Sequence, residues 1–188
     1  MTEKEKCAQG LLYDANYDPQ LLRDRDEAKS ICQTFNTLPY GEKDQKKALL
    51  QKLLSPKTDN FIIEPPFWCD YGYNIEIGEN FYANHGLVIL DGAKVKFGSN
   101  VFIAPNCQFY TAGHPENIEK RNEGLEYAMP ITVGDNVWIG GNVTVLPGIS
   151  IGEGSIIGAG SVVTKDIPSG VIAVGNPCKV LREVNQDK

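Results

Sequence analysis

No stretch of this 188-residue chain approaches the ~18 consecutive apolar residues of a membrane-spanning helix. The opening MTEKEKCAQG is charged and lacks the apolar centre of a secretion signal. Basic residues do not dominate either: 18 lysines and arginines stand against 24 acids, a formal charge of −6. That balance argues against a general nucleic-acid surface while leaving room for a local basic pocket for an anionic ligand. The five cysteines (7, 32, 69, 107 and 178) are scattered, odd in number and free of CxxC or CxH spacing. They point to reduced, mostly buried thiols in a cytoplasmic protein, not to a disulfide framework or a zinc site. Histidine is scarcer still, confined to His85 and His114.

What is present has two textures. Residues 1–60 are expected to form a helical segment. Asp18-Pro19 supplies an N-cap and a first-turn proline. Leu21, Ala28, Ile31, Cys32 and Phe35 then recur on one helical face until Pro39-Tyr40-Gly41. A second helix is predicted from Lys46 to Leu54, with Leu49, Leu50, Leu53 and Leu54 on its face and Pro56 as its stop.

From residue 75 onward an aliphatic returns every six positions: Val133, Ile139, Val145, Ile151, Ile157 and Val163, with Gly134, Gly140, Gly152 and Gly158 directly after four of them. A second set, Val137, Val143, Ile149, Ser155, Ser161 and Ile167, follows four residues behind. Ile77, Ala83, Ile89 and Phe97, Ile103, Phe109 keep the same beat, with two extra residues near Asp91-Gly92. A period of six is neither helical nor simple strand alternation. It fits three short strands per turn, wound into a triangular prism with the aliphatic inside. The glycine after it is expected to supply the positive φ of a tight corner. Burying one aliphatic contributes ~1.5–3 kcal/mol and ordering each residue costs ~1–2 kcal/mol, so a single coil cannot stand alone. The run Gly152-Glu153-Gly154-Ser155-Ile156-Ile157-Gly158 is GxGxxxG without a helix after it, and the hexads already explain its glycines.

The beat stops for residues 111–130, within which YTAGHPEN (110–117) carries His114. An irregular loop of that length inside a repeat is usually functional.

The Ile-Gly hexads, the His-Pro loop, EPPFWCDYGYN, Tyr82-Ala83-Asn84 and the ending VVTKDIP…GNPCKV together resemble the sugar O-acetyltransferases of the left-handed β-helix superfamily. Maltose and galactoside acetyltransferases are the nearest types. Cys69-Asp70-Tyr71-Gly72-Tyr73-Asn74 leans to the maltose type, since galactoside enzymes tend to carry serine at the position of Asp70. The resemblance spans nearly the whole chain. It implies a mainly β fold: a left-handed parallel β-helix over 61–188, N-terminal helices over 1–60 contributing to the acceptor site, the extended loop 111–130 and a C-terminal CoA-binding tail. It further implies a homotrimer with sites between prisms, acetyl-CoA as co-substrate, no metal requirement, and neither nucleic-acid nor membrane partners.

A sugar hydroxyl is a weak nucleophile near neutral pH, so a base must take its proton, a step worth ~10²–10⁴ in rate. The resemblance gives that role to His114. It makes Asn84 an acceptor-orienting catalytic residue and the Gly141 N–H an oxyanion donor. The matching sugar contacts are Asp14, Arg23, Asp70, Tyr82, Asn84, Asp91 and Glu126. The matching CoA positions are Trp138, Gly141, Ala159, Thr164, Lys165, Lys179 and Arg182. Two positions depart from the pattern. His85 stands where relatives usually place phenylalanine, and Lys179 stands where arginine is common. A metal-dependent hydratase of the β-helix type and a non-catalytic β-helix scaffold are the alternatives.

Overall fold

The computed structural model describes residues 1–187. Helix α1 (Glu3–Ala8) begins in a capping box between Thr2 and Glu5, and helix α2 (Pro19–Thr37) begins where the Asp18 carboxylate accepts from Gln20 and Leu21 N–H. Leu21, Ala28, Cys32 and Phe35 are the buried face of α2, as expected. Helix α3 (Lys43–Leu53) starts three residues before the expected Lys46, whose own side chain is buried with its ammonium 5.2 Å from the Tyr40 ring.

From Ser55 the chain winds through three parallel sheets, one per prism face. The first holds Ser55–Pro56, Ile75–Ile77, Val95–Phe97, Ile131–Val133 and Ser150–Ile151. The second holds Phe61–Ile63, Phe81–Ala83, Phe102–Ile103, Trp138–Ile139, Ile156–Ile157 and Val171–Val174, with Lys179–Glu183 turned back antiparallel at its edge. The third holds Phe67–Cys69, Leu87–Leu90, Gln108–Tyr110, Thr144–Val145 and Val162–Val163. The register stacks hexad on hexad: Ile103 beside Ile139 beside Ile157, and Phe109 beside Val145 beside Val163. Both inward sets are buried, including Ser155 and Ser161, whose hydroxyls donate to the Pro168 and Gly158 carbonyls. The stack starts one coil earlier than residue 75, with Ile63 and Cys69 already inward beside Ala83 and Ile89. Proline and aromatics take the place of glycine in EPPFWC and conceal the period there.

The expected role of the glycines is corrected by their geometry. Positive φ falls three residues after the inward aliphatic, at Asn80, Asn100, Asn106, Asn136, Asn142, Gly86, Gly148, Gly154 and Gly160. The glycines directly after the aliphatic have ordinary φ and serve close stacking instead. A Cβ on Gly134 or Gly140 would stand 2.7 or 2.6 Å from a backbone nitrogen of the next coil. At the corner between first and second faces, the amides of Asn80, Asn100 and Asn136 form a hydrogen-bonded ladder at 2.8 and 3.1 Å.

Extra residues gather at the corner between third and first faces. Eight residues, not six, separate Cys69 from Ile77 and Ile89 from Phe97, and loop 111–130 leaves from the same corner. The loop is more regular than expected: Ala112–Gly113 pairs antiparallel with Tyr127–Ala128 at its base, and helix α4 (Ile118–Asn122) forms its tip.

Candidate active site

His114 emerges from the base of this hairpin. Its Nδ1 lies 2.9 Å from the Leu125 carbonyl oxygen. A carbonyl can only accept, so Nδ1 carries the proton and the neutral ring keeps its lone pair on Nε2. Nε2 faces the Glu126 carboxylate at 4.0 Å. The other Glu126 oxygen accepts from the hydroxyl of fully buried Tyr13 at 3.3 Å, and Tyr13 and Glu126 exchange backbone hydrogen bonds of 3.0 Å in both directions. The N-terminal segment thereby fixes the carboxylate beside the imidazole. Burial raises the Glu126 pKa above the ordinary carboxylate range, against the opposing pull of His114 and Arg25.

Arg25, which the sequence analysis did not single out, is packed into this group. Arg23 is exposed, and no hydrogen bond to it is found among the described residues. Arg25 instead donates to the Tyr71 hydroxyl at 3.0 Å and to the Ala15 carbonyl at 2.7 Å, and its Nε is buried without a partner among the described residues. It stands near both Asp70 and Glu126. Asp70 is half-buried, 3.6 Å from the Lys29 ammonium. Asp91 is fully buried. It accepts backbone N–H bonds from Asp70 and Tyr71 at 2.9 Å and from Gly72 at 2.7 Å, so its part is to shape the turn that presents Asp70. The Asp14 carboxylate caps its own turn by accepting from Asn16 and Tyr17 N–H.

Topology separates the remaining residues from this group. Asp70, His114, Thr164 and Lys165 follow strands of the third face, at its corner with the first. Tyr82 and Trp138 point outward from the second face. Asn84, Gly141 and Ala159 occupy the opposite corner, between second and third faces. Lys179 and Arg182 lie on the antiparallel edge strand of the second face, so the three basic residues close in sequence do not form one cluster. A strand and its turns intervene between the two corners, a span of roughly 15 Å at ~3.3 Å per residue. Outward on the second face, Ile62, Phe102 and Trp138 are exposed to 54, 43 and 54 %.

A prism with a histidine hairpin on one edge and an apolar, asparagine-flanked face on another is matched closely among known proteins. A profile described as "Maltose acetyltransferase hexapeptide capping motif" fits residues 6–57, and "Bacterial transferase hexapeptide (six repeats)" fits 130–165. A maltose O-acetyltransferase from Clostridium difficile superposes with a TM-score of 0.94 at 47% identity, covering 99% of each chain. The chain belongs to the maltose and galactoside O-acetyltransferase family. A galactoside acetyltransferase solved in complex with coenzyme A matches this acetyltransferase with a TM-score of 0.93 and 42% identity, over 100% of this chain and 93% of the other. A Saccharomyces cerevisiae protein, whose name gives acetyltransferase as a provisional activity, is 60% identical over 182 residues, 97% of this acetyltransferase and 93% of its own length.

Proposed function

We propose that this acetyltransferase moves an acetyl group directly from acetyl-CoA to a sugar hydroxyl within a ternary complex, with His114 as general base. The observation that carries the reading is the fixed tautomer of His114: Nδ1–H is committed to Leu125 O, and Nε2 is left as the basic atom beside Glu126. Nε2 takes the hydroxyl proton as the sugar oxygen attacks the thioester carbonyl. The resulting imidazolium sits 4.0 Å from the Glu126 carboxylate. The tetrahedral oxyanion accepts from the Gly141 N–H, which has no protein acceptor among the described residues. Collapse expels the CoA thiolate, and the imidazolium returns the proton to it.

His114 and the Asn84–Gly141 corner occupy different edges of one prism, so the complete site would form where one copy's histidine edge meets the second face of the next. A cyclic, head-to-tail homotrimer achieves this and buries the exposed stripe of Ile62, Phe102 and Trp138. Lys179 and Arg182 on the edge strand of that face, with Lys165 from the adjoining copy, would receive the phosphates of CoA. Asp70, Glu126 and Arg25 would hold the acceptor.

His114→Ala is expected to lower turnover with acetyl-CoA and a sugar panel by at least ~100-fold, with circular dichroism and oligomer mass unchanged. Near-normal turnover would remove His114 from the mechanism.

A further inference from the structure

Resting on that reading, we propose that His85 and Asn84 form a reader for two adjacent hydroxyls of the acceptor, with the His85 imidazole accepting from one of them.

His85 is the exposed middle residue of the turn between second and third faces, directly after Asn84. Its Nδ1 is 2.6 Å from the Pro65 carbonyl oxygen. As with His114, that partner can only accept, so Nδ1 holds the proton and Nε2 of the neutral ring offers a lone pair. Both histidines of the chain are thus set in the same tautomer by a backbone carbonyl. The turn is pinned around the ring. His85 N–H donates to Asn84 Oδ1 at 2.7 Å, His85 O accepts from Asn106 N–H at 2.8 Å, and Gly86 N–H donates to Pro66 O at 3.0 Å.

The bond from His85 N–H also orients the Asn84 amide. With Oδ1 occupied, Nδ2 is the group left to point outward, and it has no partner among the described residues. The corner therefore displays a fixed donor, Asn84 Nδ2, next to a fixed acceptor, His85 Nε2. Neighbouring hydroxyls of a pyranose can satisfy the two atoms together: one accepts from the amide and the next donates to the imidazole. Such polar sites discriminate strongly, because an acceptor lacking the hydroxyl leaves a protein atom without its partner.

The ligand class is a neutral vicinal diol of a pyranose, and the test compares wild type with His85→Phe and His85→Gln on a parent sugar and its monodeoxy series. Phenylalanine keeps the ring's bulk and removes the nitrogen, while glutamine restores a polar atom near the position of Nε2. In His85→Phe, KM for the parent acceptor is expected to rise ~10-fold while KM for acetyl-CoA stays put; His85→Gln recovers most of that loss. On the one deoxy sugar that lacks the hydroxyl read by His85, wild type and His85→Phe should have equal KM values. An unchanged acceptor KM in His85→Phe, or an equal penalty on every deoxy sugar, overturns the proposal and leaves the role of His114 standing. If His114→Ala retains full turnover while His85→Phe abolishes it, the preceding reading fails as well, because the base is then His85.

Discussion

Asp91 is an acid without access to solvent, and three backbone N–H groups converge on it. Burial raises its pKa to about 6, against the downward pull of those donors. Between an ordinary carboxylate value near ~4 and about 6, the folded chain holds a proton that the unfolded chain has released. The stability due to this carboxyl is therefore complete below ~4, falls as pH rises through 6, and is constant in the ionised form above it. Asp91→Asn should remove that slope from denaturation midpoints measured between pH 4 and 7. It should also cost ~1–3 kcal/mol at neutral pH, because an NH₂ would confront the Gly72 N–H. A midpoint profile identical to wild type would refute the assignment. The family resemblance marked Asp91 as a matching sugar contact, but it stands beside the two-residue insertion, where a match can slip, and nothing local shows which way an acid at a corner turns. Arg25 was legible. It stands four residues after Leu21 and three before Ala28, on the buried stripe of α2, whereas Arg23 stands off that stripe.

At the scale of the strand and corner, the hexad predicted nearly every inward side chain, because the prism admits one pattern of burial. The hexad did not separate the two reasons for small corner residues. A methyl on Gly140 must push the next coil away, since it would lie 2.6 Å from Ala159 N and 2.9 Å from Ile157 O. Gly154 faces open space at φ +68°, the conformation that asparagine adopts at Asn136 and Asn142. Gly140→Ala is expected to destabilise by ~1–3 kcal/mol, and Gly154→Asn by less than ~0.5 kcal/mol, read from urea midpoints. Equal losses would mean that backbone torsion, not coil spacing, governs both positions. The loop was legible as an interruption only; its hairpin base and α4 tip depend on pairing with Tyr13 and on caps too short to carry a period.

For the whole molecule, the separation of His114 from Asn84 makes a quantitative claim about mixed oligomers. Co-refolding equal amounts of His114→Ala and Asn84→Ala chains should restore activity, with about a quarter of the sites in a randomly assembled cyclic trimer drawing an intact histidine from one chain and an intact asparagine from the next. Activity no greater than the sum of the two variants would place both residues within one chain's site. The hexad spacing carries none of this, since residue spacing along a coil does not say which edges meet another molecule; only the family resemblance implied sites between prisms.

The ends of the stack carry a consequence of their own. The side-chain amide of Asn36 on α2 bonds both the N–H and the C=O of Phe67, at 2.8 and 3.0 Å, standing in for a missing strand under the third face. At the far end Val162 donates to Gly175 and accepts from Cys178, while Lys179–Glu183 runs against the second face. Rows of unsatisfied main-chain groups are templates for further chains, so these seals keep a cross-β-like column finite. Deleting residues 1–54, or replacing Asn36 by leucine, should turn a discrete particle into one that elongates end to end, visible as filaments by electron microscopy.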